Sequence, residues 1–400
     1  MTSSLHRTDV NRSAILAQLG AHGAASRADL ARTLNLSPAL ITQLVKQLIG
    51  EGLVAELEQA PSSGGRPARL LGLAASAGHA IGVKVGATHV ALVEVGIAGR
   101  VIRSAEVPFD ATASTFVLDL ADRIQAFIGA GDEVTLLGVG VAVPGTVDEP
   151  GNGVVECGVL GWNSIHLGEA LRGAIGLPVV IENDVNALAV AERLYGIGRS
   201  HENFLVVTIG AGIGAGIVVE GTVLRAASGG AGEIGHIPVA DDGPLCSCGN
   251  LGCLEAVIGE AALVRRAREA GLIDQGAGID DLLADAEAGD EEAIALYRDA
   301  GRLLGRTLAG IVHVIDPAAI VVLGEGTVAW AHWSAGFEPA FRSHLQRHRR
   351  TIPVNVETWL DDSWAQGAAA LVLATPFDTG SDVGDQGRLI RARLVGQGSR

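Results

Sequence analysis

Cysteine is scarce in this 400-residue chain, and three of its four cysteines, Cys246, Cys248 and Cys253, fall within one short stretch. So few thiols exclude a disulfide-stapled secreted scaffold. No run of about 18 uninterrupted apolar residues occurs, so no transmembrane helix is expected. Residues 1–10 are too polar for a signal peptide. These absences point to a cytoplasmic protein with reduced thiols and no membrane partner. Aromatic residues are also few, at 4%, while 48% of residues are hydrophobic and glycine numbers 55. That balance suits a tightly packed α/β scaffold. The length allows two or three domains, and the sequence shows no internal repeat. Positive charge is the last shortage: 29 Lys and Arg against 45 Asp and Glu give a net charge of −16. As a whole the chain is a poor match to DNA.

The charge is unevenly spread. Residues 1–70 carry seven basic side chains (Arg7, Arg12, Arg27, Arg32, Lys46, Arg66, Arg69) against five acidic ones (Asp9, Asp29, Glu51, Glu56, Glu58). The head is therefore +2 and the remainder −18, so only the head suits an approach to phosphates. Within it, Ile15, Leu16 and Leu19 are spaced as on a helix. A second helix follows Ser26, its expected N-cap, with Leu30, Ala31 and Leu34 on one face. The third follows Ser37, with Pro38 at the first helical position and Gly52 beyond its end. Three short helices with a tight turn at Leu36 read as helix-turn-helix, and the two strands after them as a wing. The third helix of such a head enters the major groove. Ser37, Ala39, Thr42, Gln43 and Lys46 are the residues expected to face DNA. Leu40, Ile41, Leu44, Val45 and Leu48 are left for packing. The glycine-rich segment 62–67 ends in Arg66, a cation suited to a narrow minor groove. The competing readings are a three-helix protein-binding module and, for Arg66, a solvated hairpin tip.

Beyond the head, residues 79–102 read as a β-hairpin turning near Ala87 and Thr88. Residues 136–143 read as a buried strand before a Pro144-Gly145 turn. Residues 177–182 form a short strand, followed by Asn183 and Asp184 and then a helix. An aspartate at the carboxyl end of a strand is placed to meet a ligand; capping the helix is the alternative role for Asp184. Residues 204–224 are strand, glycine-rich turn and strand. Gly210, Gly212, Gly214 and Gly216 would let backbone N–H groups approach an anion, although tight hairpins use glycines too. Cys157 reads as core or loop filler. Residues 259–313 are helical and acidic, with a break near 276–279. A strand then ends at Gly324 and Gly326, and residues 361–374 form a closing helix. The expected domains are 1–75, 78–198 and 199–377, with dimerisation through the last. Residues 378–400 are expected to be a mobile tail that can hold a short helix at 389–394.

Residues 229–255 read GGAGEIGHIPVADDGPLCSCGNLGCLE. Three thiolates and the imidazole of His236 are the donor set of a closed tetrahedral Zn²⁺ site. A disulfide, which would leave one thiol over, and a plain core histidine are the alternatives. With all four positions filled by protein, the zinc reads as structural. Glu233 and Glu255 bracket the cluster, which would hold both against one small polar ligand.

GEIGH followed by CSCGNLGCLE resembles the ROK family of bacterial sugar kinases and sugar-responsive repressors, and the resemblance extends over most of the chain. It implies an α/β protein: an N-terminal winged helix-turn-helix, then a two-lobed actin-like, sugar-kinase-like ATPase fold with a structural zinc. On the family pattern His236, Cys246, Cys248 and Cys253 bind Zn²⁺, while Glu233, His236 and Glu255 hydrogen-bond a sugar. Gly161-Trp162-Asn163 matches a loop near the sugar and adds Asn163. Asp184 matches the general base of family kinases, and Asn183 a sugar-binding neighbour. Gly324 and Gly326 fall in the family's adenosine-side segment. Two departures stand out. The kinase D-x-G-x-T, whose acid helps to hold Mg²⁺, here begins with Lys84, although Gly86 and Thr88 remain. A lysine there removes a ligand and adds a like charge. The second phosphate loop, T-x-G-T-G-I-G, has Ala211 in place of its second threonine. ROK kinases also lack the head, and the segment around Arg66 resembles the join between head and body in ROK repressors.

The sequence thus points to a non-enzymatic, sugar-responsive transcriptional regulator in which Asp184 is a vestigial base. Its expected partners are operator DNA, a sugar effector and a second copy of itself, as a homodimer or homotetramer. An ATP-dependent sugar kinase and a protein-binding scaffold are the alternatives.

Overall fold

Ser26 and Ser37 start two helices of the head in the same way. In the computed structural model, Ser26 caps the helix Arg27–Thr33 in a reciprocal capping box with Asp29. Ser37 caps Pro38–Gly50, accepting from the Leu40 N–H at 3.3 Å, with Pro38 in the first turn. Both caps satisfy N–H groups that a helix start leaves open. The structure describes residues 11–12, 14–20, 22–59, 69–74, 77–132, 135–360, 362–377 and 384–395. Arg66 lies outside them. Residues 14–20 are helical and bury Ile15, Leu16 and Leu19. The wing is three-stranded where two strands were expected. A short β1 (Ala25–Ser26) joins β2 (Val54–Gln59) and β3 (Arg69–Leu73) in the order β1-β3-β2.

The chain divides into two units, Met1–Ser200 with Asp362–Arg400, and His201–Asp361. The first contains the head and a five-stranded sheet. Its strands are β4 (His79–Val85), β5 (His89–Gly96), β6 (Val101–Pro108), β7 (Leu136–Val143) and β11 (Val179–Asn183), in the order β11-β7-β4-β5-β6. A smaller sheet holds β8 (Thr146–Val147), β9 (Val154–Cys157) and β10 (Trp162–His166). The second unit's sheet runs β14-β13-β12-β15-β16. It comprises β12 (Phe204–Ile209), β13 (Ile213–Val219), β14 (Thr222–Val223), β15 (Ala319–Leu323) and β16 (Val354–Val356). Each large sheet is an antiparallel meander of three strands extended on one side by two parallel strands. The same topology therefore occurs twice, although the sequence shows no repeat.

Two expectations change at this level. The closing helix, Ser363–Ala374, belongs to the first unit, not to the second. It packs on β4 and β7 because Gly82 and Gly140 leave room: a Cβ on either would run into the carbonyl of Ala365 or Ala368. The supposed tail also contains a full helix, Gly384–Val395. Ile390 and Leu394 are buried, and the Arg393 Nε donates to the Leu136 carbonyl at 2.7 Å. These two buried positions are i and i+4, which puts both on one face. Among the described residues, no helix is long and apolar enough to cross a membrane.

Candidate functional site

The Cys/His loop is pinned by backbone before any metal is considered. Pro238 bridges Cys253 and Leu245 bridges Leu251. The Cys246 N–H donates to Asn250 O at 2.8 Å, and the Val239 N–H to Gly252 O at 2.8 Å. Gly252 has φ +68°, and a side chain there would strike the Ala240 carbonyl. The result gathers His236, Cys246, Cys248 and Cys253, with all four ligand atoms within 4.8 Å of one another. Cys246 Sγ lies 3.4 Å from His236 Nδ1, and Cys248 Sγ 3.7 Å from Cys253 Sγ. A tetrahedral ion with S ligands at about 2.3 Å and N at about 2.0 Å places S and N about 3.5 Å apart and two S atoms about 3.8 Å apart. The cluster thus fits a tetrahedral metal, and no disulfide joins these residues. Without a cation, burial pushes the Cys253 thiol up to about 12, while the Asn250 backbone N–H holds Cys248 below its usual value. A cation would favour the thiolate at both.

His236 can serve two ligands because its ring nitrogens face different ways. Nδ1 points to the cysteines, whereas Nε2 lies 3.7 Å from the Glu233 carboxylate. Glu255 lies in the first turn of the short helix Leu254–Ile258, whose N-cap is Cys253, so the cluster fixes its origin. Its Oε2 accepts the Ile213 N–H at 3.0 Å, across from the glycine turn between β12 and β13. A backbone N–H between the glycines expected to approach an anion is therefore already bonded to a carboxylate of the same unit. Ala211 stands exposed in that turn.

In the first unit, Asn183 and not Asp184 caps the helix Asp184–Tyr195. Its Oδ1 accepts from Val185 and Asn186 N–H at 2.9 and 3.1 Å, and its Nδ2 donates to Gly145 O at 2.8 Å. Its acceptor oxygen is committed to the helix, leaving one N–H for a ligand. Asp184, one residue on, keeps its carboxylate at the helix start and pairs with the Lys84 ammonium. The same ammonium sits 4.7 Å from the centre of the Trp364 ring. Both partners of the ion pair are largely buried, at 15% and 13% exposure. Lys84 thus offsets the charge of the Asp184 carboxylate. Sequence reasoning flagged Lys84 as a departure but missed its partner, 100 residues away, and missed Trp364 altogether. A lone tryptophan in an Ala-rich helix was the only available signal.

Trp162 and Asn163 divide their work. Trp162 is buried, donates through Nε1 to Ala111 O at 2.9 Å and stacks on Phe116. Asn163, next on β10, is exposed. Cys157 is buried at the end of β9, and burial raises its thiol.

On the head, Ser37, Ala39, Thr42, Gln43 and Lys46 are all exposed. Ile41, Leu44, Val45 and Leu48 are buried on the opposite face of Pro38–Gly50, and Leu40 is half-buried. The helix therefore presents one exposed face that carries Thr42, Gln43 and Lys46.

Comparison with known proteins agrees with this architecture. The ROK family model matches residues 80–375, and the MarR family model residues 10–58. The DNA-binding transcriptional dual regulator NagC of Escherichia coli (strain K12) is 31% identical over 380 residues, covering 91% of this chain and 92% of that protein. The crystal structure of a ROK family transcriptional regulator, a homologue of the E. coli MLC protein, superposes with a TM-score of 0.80 at 26% identity, over 98% of this chain and 100% of that one. A glucokinase of Streptomyces coelicolor is 33% identical over 262 residues, covering 62% of this chain and 82% of that protein. The match to regulators runs through head and body alike, and the chain belongs to the ROK family, with a MarR-like helix-turn-helix segment at its N-terminus.

Proposed function

We propose that this protein is a transcriptional regulator, a repressor of carbohydrate-metabolism genes, that binds operator DNA through its head and a sugar through its ROK body without phosphorylating it. The observation that carries this reading is the Lys84–Asp184 pair. General-base catalysis needs a carboxylate able to take a proton from a hydroxyl. Here that carboxylate is held by an internal cation, and the acid that would help to bind Mg²⁺ is the cation itself. A paired carboxylate still accepts a hydrogen bond, so binding survives where transfer does not.

In this reading Asn163, Asn183 and Asp184 of the first unit are sugar-bonding residues, as are Glu233, His236 and Glu255 of the second. His236, Cys246, Cys248 and Cys253 would hold Zn²⁺, and that rigid shell would orient the Nε2 of His236 and the origin of Glu255. Three thiolate ligands require a reducing compartment, in keeping with action in the cytoplasm. Ser37, Ala39, Thr42, Gln43 and Lys46, with Arg66, contact DNA. Operator half-sites about 34 Å apart call for a dimer. A coupling of about 1–3 kcal/mol between sugar and DNA suffices for a useful switch.

The test is isothermal titration with D-glucose, D-xylose and N-acetyl-D-glucosamine, with and without a duplex from upstream of the gene. One of the sugars should bind and change operator affinity. The second reading, an ATP-dependent sugar kinase, is supported by retention of Asp184 and Glu255. It predicts sugar-dependent ADP release that Asp184→Asn abolishes. That turnover, together with indifference to operator DNA, would overturn the proposal.

A further inference from the structure

The two helices that begin at Asp184 and beside Trp364 both end against the head. Asp184–Tyr195 and Ser363–Ala374 are each 12 residues long, about 18 Å. They lie in contact: a Cβ on Gly367 would meet Leu188 at 3.1 Å. At their starts, one ammonium serves both, because Lys84 pairs with Asp184 and lies over Trp364. At their far ends, each leads to a different glycine of the head. After the first helix, Arg199 donates through Nε to Leu194 O at 2.9 Å, and its guanidinium lies 3.7 Å from where a Cβ on Gly23 would stand. After the second, Phe377 presses its ring on Gly20, so closely that no side chain fits there. Gly20 lies in the same helical segment as the buried Ile15, Leu16 and Leu19.

The second helix has little freedom to bend and absorb a shift. Its Ala365 and Ala368 carbonyls sit on Gly82 and Gly140, and Ala368, Ala369, Ala370, Leu371, Val372 and Leu373 are buried. The Gln366 amide donates to Gly99 O at 2.9 Å. Close-packed elements of this kind move as bodies. The end of the helix is also gripped: Arg391 Nη1 donates to Thr375 O at 2.9 Å, and Arg391 belongs to the C-terminal helix.

We propose that Lys84 is a latch on this helix pair and that Trp364 is the positioning residue through which occupation of Asp184 reaches the head. The inference rests on the sugar-responsive reading given above. A sugar hydroxyl that bonds the Asp184 carboxylate competes with Lys84 for it. The ammonium then changes its hold on Trp364, and the helix pair carries the change to Gly20 and Gly23. No covalent step is involved; the switch is one charge-assisted hydrogen bond and one cation–aromatic contact. Trp364 itself need not touch sugar or DNA.

The experiment measures two affinities in the full-length protein: sugar binding by calorimetry, and operator binding by fluorescence anisotropy with and without saturating sugar. The probe is whichever of D-glucose, D-xylose and N-acetyl-D-glucosamine binds the wild type. Wild type should change its operator affinity at least tenfold on saturation. Trp364→Ala should keep sugar affinity and sugar-free operator affinity within threefold of wild type, while its sugar-dependent change falls below twofold. Trp364→Phe, which retains an aromatic face, should recover most of the response and guards against misfolding of the alanine variant. Phe377→Leu should uncouple from the other end in the same way. A full tenfold response in Trp364→Ala overturns this inference alone. A wild type whose operator affinity no sugar alters overturns the underlying reading with it.

Discussion

Removing the Lys84 ammonium offers the most direct test of the pairing at the centre of the body. Lys84→Met keeps most of the stem and deletes the charge. It leaves Asp184 at 13% exposure with no cation beside it. Breaking a fully buried pair by taking one partner costs about 3–5 kcal/mol. Two features of the site reduce that figure. Both side chains retain some solvent contact, and Asp184 sits in the first turn of a helix, where the dipole favours an anion by about 0.3–1 kcal/mol. The expected cost is therefore about 1–3 kcal/mol, or a fall in Tm of roughly 2–12 °C for a unit of this size. Asp184→Asn in the same background removes the stranded charge. The double variant should then recover at least about 1 kcal/mol relative to the sum of the two single changes. Urea unfolding followed by circular dichroism supplies the three free energies for the cycle. If the single costs add within about 0.5 kcal/mol, the two groups do not interact in solution and the account of Asp184 as a neutralised base is wrong.

Four further outcomes are expected. Cys246→Ala should lower the bound metal toward zero by elemental analysis. It should also cut Tm by several degrees, since a site filled at 100 times its Kd contributes about 2.7 kcal/mol; an unchanged metal content would remove Cys246 from the ligand set. Lys46→Ala should weaken binding to all duplexes alike and reduce the slope of log affinity against log salt by about one, measured by anisotropy at several salt concentrations. Arg66→Ala should lower operator affinity while leaving sugar affinity unchanged by calorimetry, and equal operator affinity would make that segment a mere connector. Glu94 yields a pH effect. Burial alone would raise its carboxyl, but hydrogen bonds from His79 and Arg103, at 2.6 and 2.7 Å, hold it below the usual carboxylate range. A depressed folded pKa contributes stability that is full above the ordinary value of 4.5 and lost as pH falls through the lower folded value. Glu94→Gln should therefore be less stable than wild type near neutrality and show a shallower loss below pH 4.5 in acid titrations.

Much of this protein is written in short-range spacing. The helix caps at Ser26 and Ser37, the Pro38 start and the exposed row Ser37, Ala39, Thr42, Gln43 and Lys46 follow from neighbours within a few residues. So does the Cys/His cluster, because its four ligands lie on one glycine-rich loop whose closure needs no distant partner. The choice between Asn183 and Asp184 as cap was not legible, since both residue types suit the position and only the backbone direction at the end of β11 selects one. Nor could local spacing assign Ser363–Ala374 to the first unit or show the same sheet topology in both. Helices of that composition pack wherever two strands present glycine, and Gly82 and Gly140 meet only when β4 and β7 pair. The pairing of Lys84 with Asp184 has the same origin. By itself the sequence determined which residue types were available and which charge stood where an acid was expected. The pairing of β4 with β7 and of β7 with β11 brought that charge to the start of the helix after β11, 100 residues away, because a strand's neighbours are set by hydrogen bonding across the sheet and not by distance along the chain.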